Sequence, residues 1–223
     1  MRLSERLEAI VGLVPFGVSV ADVGSDHAAV PLSLLGRGKV PFAMGIENKP
    51  GPFAKMRRAV EASPFASSCL LSLSDGLSQV NERIDCAVLA GLGGKLIAAI
   101  LRRDVPSHPS IKTLIVDPHS ERPAAYRALM DLGFRESASV SLVEGGLYYE
   151  VSRWEKSLLA VVYDERQLTF GPLPLSMKPA PWRAYWGAEA KRLEGIAVSL
   201  PRGRSAKREE LLQRARLIEE TIE

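Results

Sequence analysis

The chain has 223 residues and a mass of 24.3 kDa, room for one full α/β domain and a small appendage but not for a second large domain. Its two cysteines, Cys69 and Cys86, lie in apolar runs without metal or redox spacing, so buried thiols in a reducing compartment are expected, and no metal. The first residues lack a basic stretch followed by an apolar one, and no apolar run approaches membrane-spanning length, so a cytoplasmic chain without a membrane partner is expected, with a monomer favoured.

Leu3, Leu7, Ile10, Val11 and Val14 recur at helical spacing over residues 2–14, with Ser4 placed as a cap, and Pro15 and Gly17 stop that helix. Residues 18–31 organise the rest of the chain. A β-branched apolar run ends in Asp22-Val23-Gly24-Ser25-Asp26-His27 and leads into helix-compatible residues, the pattern of a buried parallel strand feeding a ligand-binding turn. Gly24 allows the turn and a close approach, Asp22 stands at the strand's carboxyl end, and Ser25, Asp26 and His27 set polar side chains over the crevice. Asp26 and Ala29 occupy the places of the second and third glycines of a dinucleotide fingerprint, which disfavours a pyrophosphate cradle.

A helix over 28–35 ends at Gly36-Arg37-Gly38, and a second strand over 40–46 closes on Glu47. Glu47 lies 25 residues beyond Asp22, about the separation that places a carboxylate on a ribose diol; a solvated strand end is the alternative. The next helix opens at Gly51-Pro52, turns Phe53, Met56, Ala59 and Val60 inward and breaks at Ser63-Pro64. A third strand, 69–73, ends in Ser74-Asp75-Gly76, where an acid can accept from an adenine amino group. A fourth, 84–90, runs into Gly91-Leu92-Gly93-Gly94, a floor nearly free of side chains that a flat base can approach, or else an ordinary tight turn.

Leu96, Ile97, Ile100 and Leu101 form a helix, and a fifth strand, 113–116, closes on Asp117-Pro118-His119. A helix over 122–132 stops at Gly133, and 134–143 and 147–154 read as a hairpin through Glu144-Gly145-Gly146. A mostly parallel, doubly wound sheet finished by an antiparallel hairpin is the Rossmann-like layout of methyltransferases that use S-adenosylmethionine; an NAD dehydrogenase more often continues with a second βαβ half. Residues 158–163 read as a further strand and 171–181 as a proline-rich linker between a domain at 1–170 and a helical hairpin at 182–223. In the hairpin, helices over 182–200 and 205–222 flank Pro201-Arg202-Gly203-Arg204, and Leu211, Ala215, Ile218 and Ile222 form a coiled-coil-like stripe.

The net charge is +3, and residues 178–223 hold ten Lys/Arg against seven Asp/Glu, so the whole excess lies in the tail. Lys178, Arg183, Lys191, Arg192, Arg202, Arg204, Lys207 and Arg208, interleaved with Trp182, Tyr185 and Trp186, suit an RNA phosphate footprint; a solvated helix face is the plainer reading of such a run.

These motifs together resemble the bacterial tRNA (adenine-22-N1)-methyltransferase family over nearly the whole chain. The likeness rests on Leu3-Ser4-x-Arg6-Leu7, on Ala21-Asp22-Val23-Gly24-Ser25-Asp26-His27-Ala28, and on Glu47 followed by Gly51-Pro52-Phe53. It continues through Asp75-Gly76-Leu77, Ala90-Gly91-Leu92-Gly93-Gly94 and Tyr149-Glu150. The resemblance implies a class I methyltransferase domain with a C-terminal coiled-coil hairpin, S-adenosyl-L-methionine as cofactor and tRNA as partner. By the same resemblance, Asp22, Gly24, Ser25, Asp26 and His27 enclose the methionine end of the cofactor. Glu47 holds its ribose, Asp75 and Gly76 its adenine, and Ala90, Gly91, Leu92, Gly93 and Gly94 the floor beside the methyl. The family has an aromatic residue where this chain has Ala29, and an amide-Pro-Asn sequence where it has Asp117-Pro118-His119.

Adenine N1 carries an in-plane lone pair, so its methylation asks for positioning rather than a strong base. Asp26 is the expected orienting acceptor for the exocyclic amine, with His27 beside it as an assisting group or a loop hydrogen-bonder. Two alternatives share the fold: a methyltransferase acting on another RNA or a small molecule, and a catalytically silent RNA-binding relative.

Overall fold

The computed structural model describes residues 3–201 and 204–223. Seven strands form one sheet in the order β3-β2-β1-β4-β5-β7-β6. The strands are β1 (Val20–Val23), β2 (Ala43–Glu47), β3 (Cys69–Leu73), β4 (Cys86–Gly93), β5 (Thr113–Ser120), β6 (Phe134–Glu144) and β7 (Leu147–Lys156). The first five run parallel; β7 pairs antiparallel with both β5 and β6.

Alternation along the strands splits the core into two layers. Ala21, Val23, Ile46, Leu89 and Val116 pack on one face against Ile97 and Leu101 of α4 (Gly94–Asp104) and Tyr126 and Leu129 of α5 (Arg122–Asp131). Val20, Ala43, Cys86, Val88 and Ile115 pack on the other against α1 (Glu5–Leu13), α2 (Ala29–Gly36) and α3 (Pro50–Glu61), through Ile10, Leu34 and Met56. Each of the Val, Leu, Ile and Met side chains contributes about 1.5–3 kcal/mol by burial, which fixes the strands' register far more firmly than local propensity does. Both cysteines are buried free thiols, and burial raises their pKa values.

The chain steps outward from β1 to β3 and then crosses back to β4, so strand order reverses between β1 and β4 and opens a crevice at their carboxyl ends. Two strands extend further toward it than the local pattern indicates. β4 continues through Gly93 and β5 through Ser120, paired as Ala90↔Asp117, Leu92↔Pro118 and Gly93↔Ser120 with an irregular register. Gly91, at φ 75°, supplies the left-handed step such a bulge requires.

Two segments depart from the sequence reading. Residues 158–163 form no strand: Leu158, Leu159 and Val162 are exposed, and the segment is anchored by Tyr163, whose hydroxyl accepts the Glu136 N–H at 3.2 Å and so takes the place of ladder bonds on β6. The proline-rich stretch is not extended either. After α6 (Glu165–Phe170), whose N-terminus is closed by a reciprocal Asp164–Gln167 cap, it forms α7 (Pro172–Met177), where prolines fall in a first turn that needs no N–H. The Leu173 N–H donates to Glu136 Oε2 at 2.7 Å, holding α7 to β6.

The last two helices, α8 (Ala180–Ser199) and α9 (Ser205–Ile222), pair as a hairpin. Trp182, Trp186, Ala190 and Leu193 meet Ala215 and Ile218, with Leu211 and Ile222 at the edge, so the apolar stripe read from the sequence is the contact seam. Phe170 and Tyr148 join this cluster, which ties the base of the hairpin to the sheet.

Candidate functional site

The crevice has two halves that meet at Gly24 and Leu92. The smaller, about 290 Å³, lies over the ends of β1, β2 and β3 and is lined by Glu47, Lys49, Asp75, Gly76, Leu96 and Ile100 among others. Glu47 closes β2 and is only 9% exposed; burial raises its carboxyl pKa, the Asn48 backbone N–H works against that, and Asp26 adds to the rise. Gly76 turns with φ 62°, and the Leu77 N–H donates to buried Asp104 Oδ2 at 2.7 Å, which fixes the β3 turn. The Asp75 carboxylate is exposed and accepts from Arg103 Nη1 at 2.6 Å, so it reaches the cavity as one partner of an ion pair.

The larger half, about 580 Å³, is lined by Ser4, Arg6, Asp22, Asp26, His27, Ala29, Ala90, Gly91 and His119, with Leu3 and Leu7 beneath. Burial pushes the Asp22 carboxyl up to about 7, with Glu47 reinforcing the shift and Arg6 opposing it. The loop beyond Asp22 is pinned by its backbone: Gly24 and Ser25 donate to Ile46 O at 2.9 and 3.1 Å, and Asp26 donates to Gly24 O at 2.8 Å. His27 and Ala28 are consecutive non-glycine residues at φ 55° and 54°, a strain of about 1–3 kcal/mol each that such pinning sustains. The result sets Asp26 and His27 in the open, His27 Nε2 3.4 Å from Asp26 Oδ1, while the Ser25 hydroxyl is buried without a hydrogen-bond partner among the described residues.

Ala90, Gly91 and Leu92 line the crevice, as expected of a floor, whereas Gly93 and Gly94 do not. A side chain at Gly93 would meet Ser120 Oγ at 3.3 Å, and at Gly94 it would collide with the Glu121 backbone, so these two glycines serve the packing of α4 against the β5–α5 junction.

Four residues complete the larger half that the sequence reading quoted without giving them a role in it. Arg6 Nε donates to Asp117 Oδ2 at 2.5 Å, and the Asp117 side chain is 1% exposed. Its other oxygen has no hydrogen-bond partner among the described residues, and His119 Nε2 stands 3.7 Å from the shared one. The Arg6 guanidinium lies 5.1 Å over Tyr149, and the His119 ring meets Tyr149 edge-on at 5.5 Å. The signal for these residues was position: Asp117 and His119 lie where a strand meets the crevice.

Among the tail cations, Arg183, Lys191 and Arg204 are exposed and without a carboxylate within 4 Å among the described residues, as is Lys178, which is partly covered. Arg192 pairs with Glu189 at 2.6 Å and Lys207 with Glu210 at 2.8 Å. Arg208 donates to Ala197 O and Leu200 O at 3.0 and 2.6 Å, closing the carboxyl end of α8, so its task is structural. Arg202 lies outside the described residues.

A two-part crevice at the strand-order reversal of such a sheet, closed by an antiparallel hairpin, defines a Rossmann-like protein with a nucleoside-sized pocket beside an open one. The methyltransferase-domain family matches residues 3–152, and the chain belongs to that family. It is 29% identical to the tRNA (adenine(22)-N(1))-methyltransferase of Bacillus subtilis over 233 aligned positions, covering 100% of this chain and 98% of the other. A Streptococcus agalactiae protein of the NADB-Rossmann superfamily matches with a TM-score of 0.93 and 30% identity, over 100% and 98% of the two chains. A Streptococcus pneumoniae protein solved in complex with S-adenosyl-L-methionine matches with a TM-score of 0.90 and 28% identity over 100% of both. No described helix is long and apolar enough to cross a membrane, and the described residues hold no cluster of metal-ligating side chains.

Proposed function

We propose that this chain is an S-adenosylmethionine-dependent tRNA methyltransferase that modifies N1 of an adenine, position 22 by its likeness to the B. subtilis enzyme. One observation carries the reading: the nucleoside-sized cavity ending at Glu47 opens, past Gly24 and Leu92, into a larger one walled by Asp22, Asp26 and His119. The residues fit the cofactor. Glu47 is a nearly buried acceptor at a strand end, Gly24 and Gly76 bring bare backbone to the wall at φ 74° and 62°, and Ser25 holds an unused hydroxyl.

In this reading Glu47 accepts from the ribose hydroxyls, the Asp75-Gly76 turn borders the adenine, and Asp22, Ser25 and His27 surround the amino-acid end. S-adenosylmethionine supplies an already activated methyl, so the protein's task is to present N1 in line with it. Asp26, exposed at the rim beside His27, accepts from the exocyclic amine of the extruded base, and a carboxylate there stabilises the positive charge that grows on the ring. Arg183, Lys191 and Arg204 grip the phosphate backbone from the hairpin. The chain acts as a monomer in the cytoplasm, with a methyltransferase domain at 1–170 and the helical hairpin as its RNA-gripping appendage.

Incubation with S-adenosylmethionine and total tRNA, followed by nuclease mapping and mass spectrometry, should yield 1-methyladenosine at one tRNA position. Methylation of another base, or of none, would overturn the reading.

A further inference from the structure

Beside the larger half of the crevice lies another concavity, of about 310 Å³, between the β5–α5 junction and the base of the hairpin. His119 lines both, so the two adjoin across one imidazole ring. Ser120 enters it from the end of β5, Arg122 from the start of α5, Tyr185 and Trp186 from α8, and Arg214 from α9. No side chain caps the amino terminus of α5, where Glu121 sits at φ 48°; Pro123 carries no N–H and the Ala124 N–H donates to Glu121 O at 2.9 Å, so the Arg122 N–H is the donor the helix start brings to the concavity.

Two buried donors there are unused. Trp186 is 5% exposed and its indole N–H has no hydrogen-bond partner among the described residues. Arg122, with a side chain 13% exposed, is ion-paired with buried Glu150 at 3.6 Å, and its Nε makes no hydrogen bond among the described residues. The one acid in the lining, Glu121, is engaged by Lys95. Arg214 is exposed and has no carboxylate within 4 Å among the described residues. Tyr185, stacked on Tyr148 at 4.3 Å, adds a partly exposed ring.

A concavity with a helix amino terminus, two guanidinium groups and an unspent indole N–H asks for a group with several acceptor oxygens and negative charge. We propose that it is a phosphodiester subsite, holding the RNA backbone beside the nucleotide whose base enters the crevice past His119. The inference rests on the reading of the chain as a tRNA methyltransferase and adds to it a contact outside both halves of the crevice and distinct from Arg183, Lys191 and Arg204.

The test uses the full chain, Arg214→Gln, Trp186→Phe and, as a control at the opposite end of the sheet, Arg83→Gln. Filter binding of an unmodified tRNA transcript across a salt series is read beside calorimetry with S-adenosylmethionine and a thermal melt. Arg214→Gln should weaken tRNA binding about tenfold and flatten the log–log salt slope by about 0.7–0.9, the share of one phosphate contact. Trp186→Phe, which keeps an aromatic ring against Phe170, should weaken binding and leave the slope unchanged, because the lost donor is neutral. Arg83→Gln should change neither, and cofactor affinity should hold in all three. Unchanged tRNA affinity and slope in a folded Arg214→Gln, with the wild type binding and methylating tRNA, would overturn the subsite alone; a wild type that binds no tRNA would overturn the parent reading with it. Stabilisation by millimolar inorganic phosphate that disappears in Arg214→Gln while tRNA affinity stays intact would make the concavity a free-phosphate site and also overturn the proposal.

Discussion

In the smaller half of the crevice Glu47 sits nearly buried at a strand end, and Asp75 stands in solvent with Arg103 2.6 Å away. In the larger half Asp22 is buried and held up to about 7, and Asp117 is buried with one oxygen on Arg6 and the other without a hydrogen-bond partner among the described residues. The first half offers acceptors that suit neutral hydroxyls and an amine. The second holds burial energy that a cationic or donor-rich ligand would relieve, which suits the amino-acid end of the cofactor and a base that becomes cationic.

The contrast can be broken most directly at Arg6. Arg6→Leu leaves the Asp117 carboxylate buried without its hydrogen-bonded guanidinium partner, and the loss of stability should be about 3–5 kcal/mol. A denaturant melt measures it, and Arg6→Leu with Asp117→Leu should recover most of the loss, since removing both charges leaves no orphan. A single variant within about 1 kcal/mol of wild type would place this pair with exposed ones such as Arg103–Asp75.

Glu47 and Asp75 sharpen the comparison from the other side. Glu47→Ala should weaken S-adenosylmethionine binding by about 1.5–3 kcal/mol in calorimetry, because a nearly buried carboxylate acceptor is lost. Asp75→Ala should weaken it less, since its carboxylate is already committed to Arg103 and the Gly76 turn is held from behind by Asp104. The reverse order would mean that the base, not the ribose, anchors the cofactor here.

Much of this architecture is legible in local pattern. The first five strands are short apolar runs, the helices show their stripes, and the loop after Asp22 carries its chemistry in consecutive residues. What escaped depends on partners distant in sequence. Arg6 and Asp117 are 111 residues apart, and nothing near either one indicates that burial will join them. The lengthened β4 and β5 depend on a bulged pairing with each other that glycines alone do not announce. Residues 158–163 have strand-forming side chains but make no ladder, and prolines that read as a linker at 171–181 instead begin a helix because β6 offers Glu136 to the Leu173 N–H. In the tail, counting bases did not separate Arg208, which closes α8, from cations that remain available.

The last effect concerns the proton on Asp22. Its pKa in the folded, ligand-free chain is raised from 3.8 to about 7, so the native state binds this proton more tightly than the unfolded chain does. The stability it contributes is present below about pH 4 and is lost as pH rises through about 7, so melts of the ligand-free chain should lose stability over that window. Glu136, raised by burial to about 8, pulls the same way, so Asp22→Asn should reduce that slope without abolishing it. If Asp22 faces the ammonium of the bound cofactor, binding favours the ionised carboxylate, and below pH 7 the complex must release a proton. Affinity should then rise about tenfold between pH 6 and 8, about 1.4 kcal/mol. Calorimetry in buffers of different ionisation enthalpy counts the proton, and Asp22→Asn should remove both the proton release and the pH dependence. Binding that releases no proton at pH 6 would mean that Asp22 stays neutral in the complex and acts as a hydrogen-bond donor, and the charge contrast between the two halves would then rest on Asp117 alone.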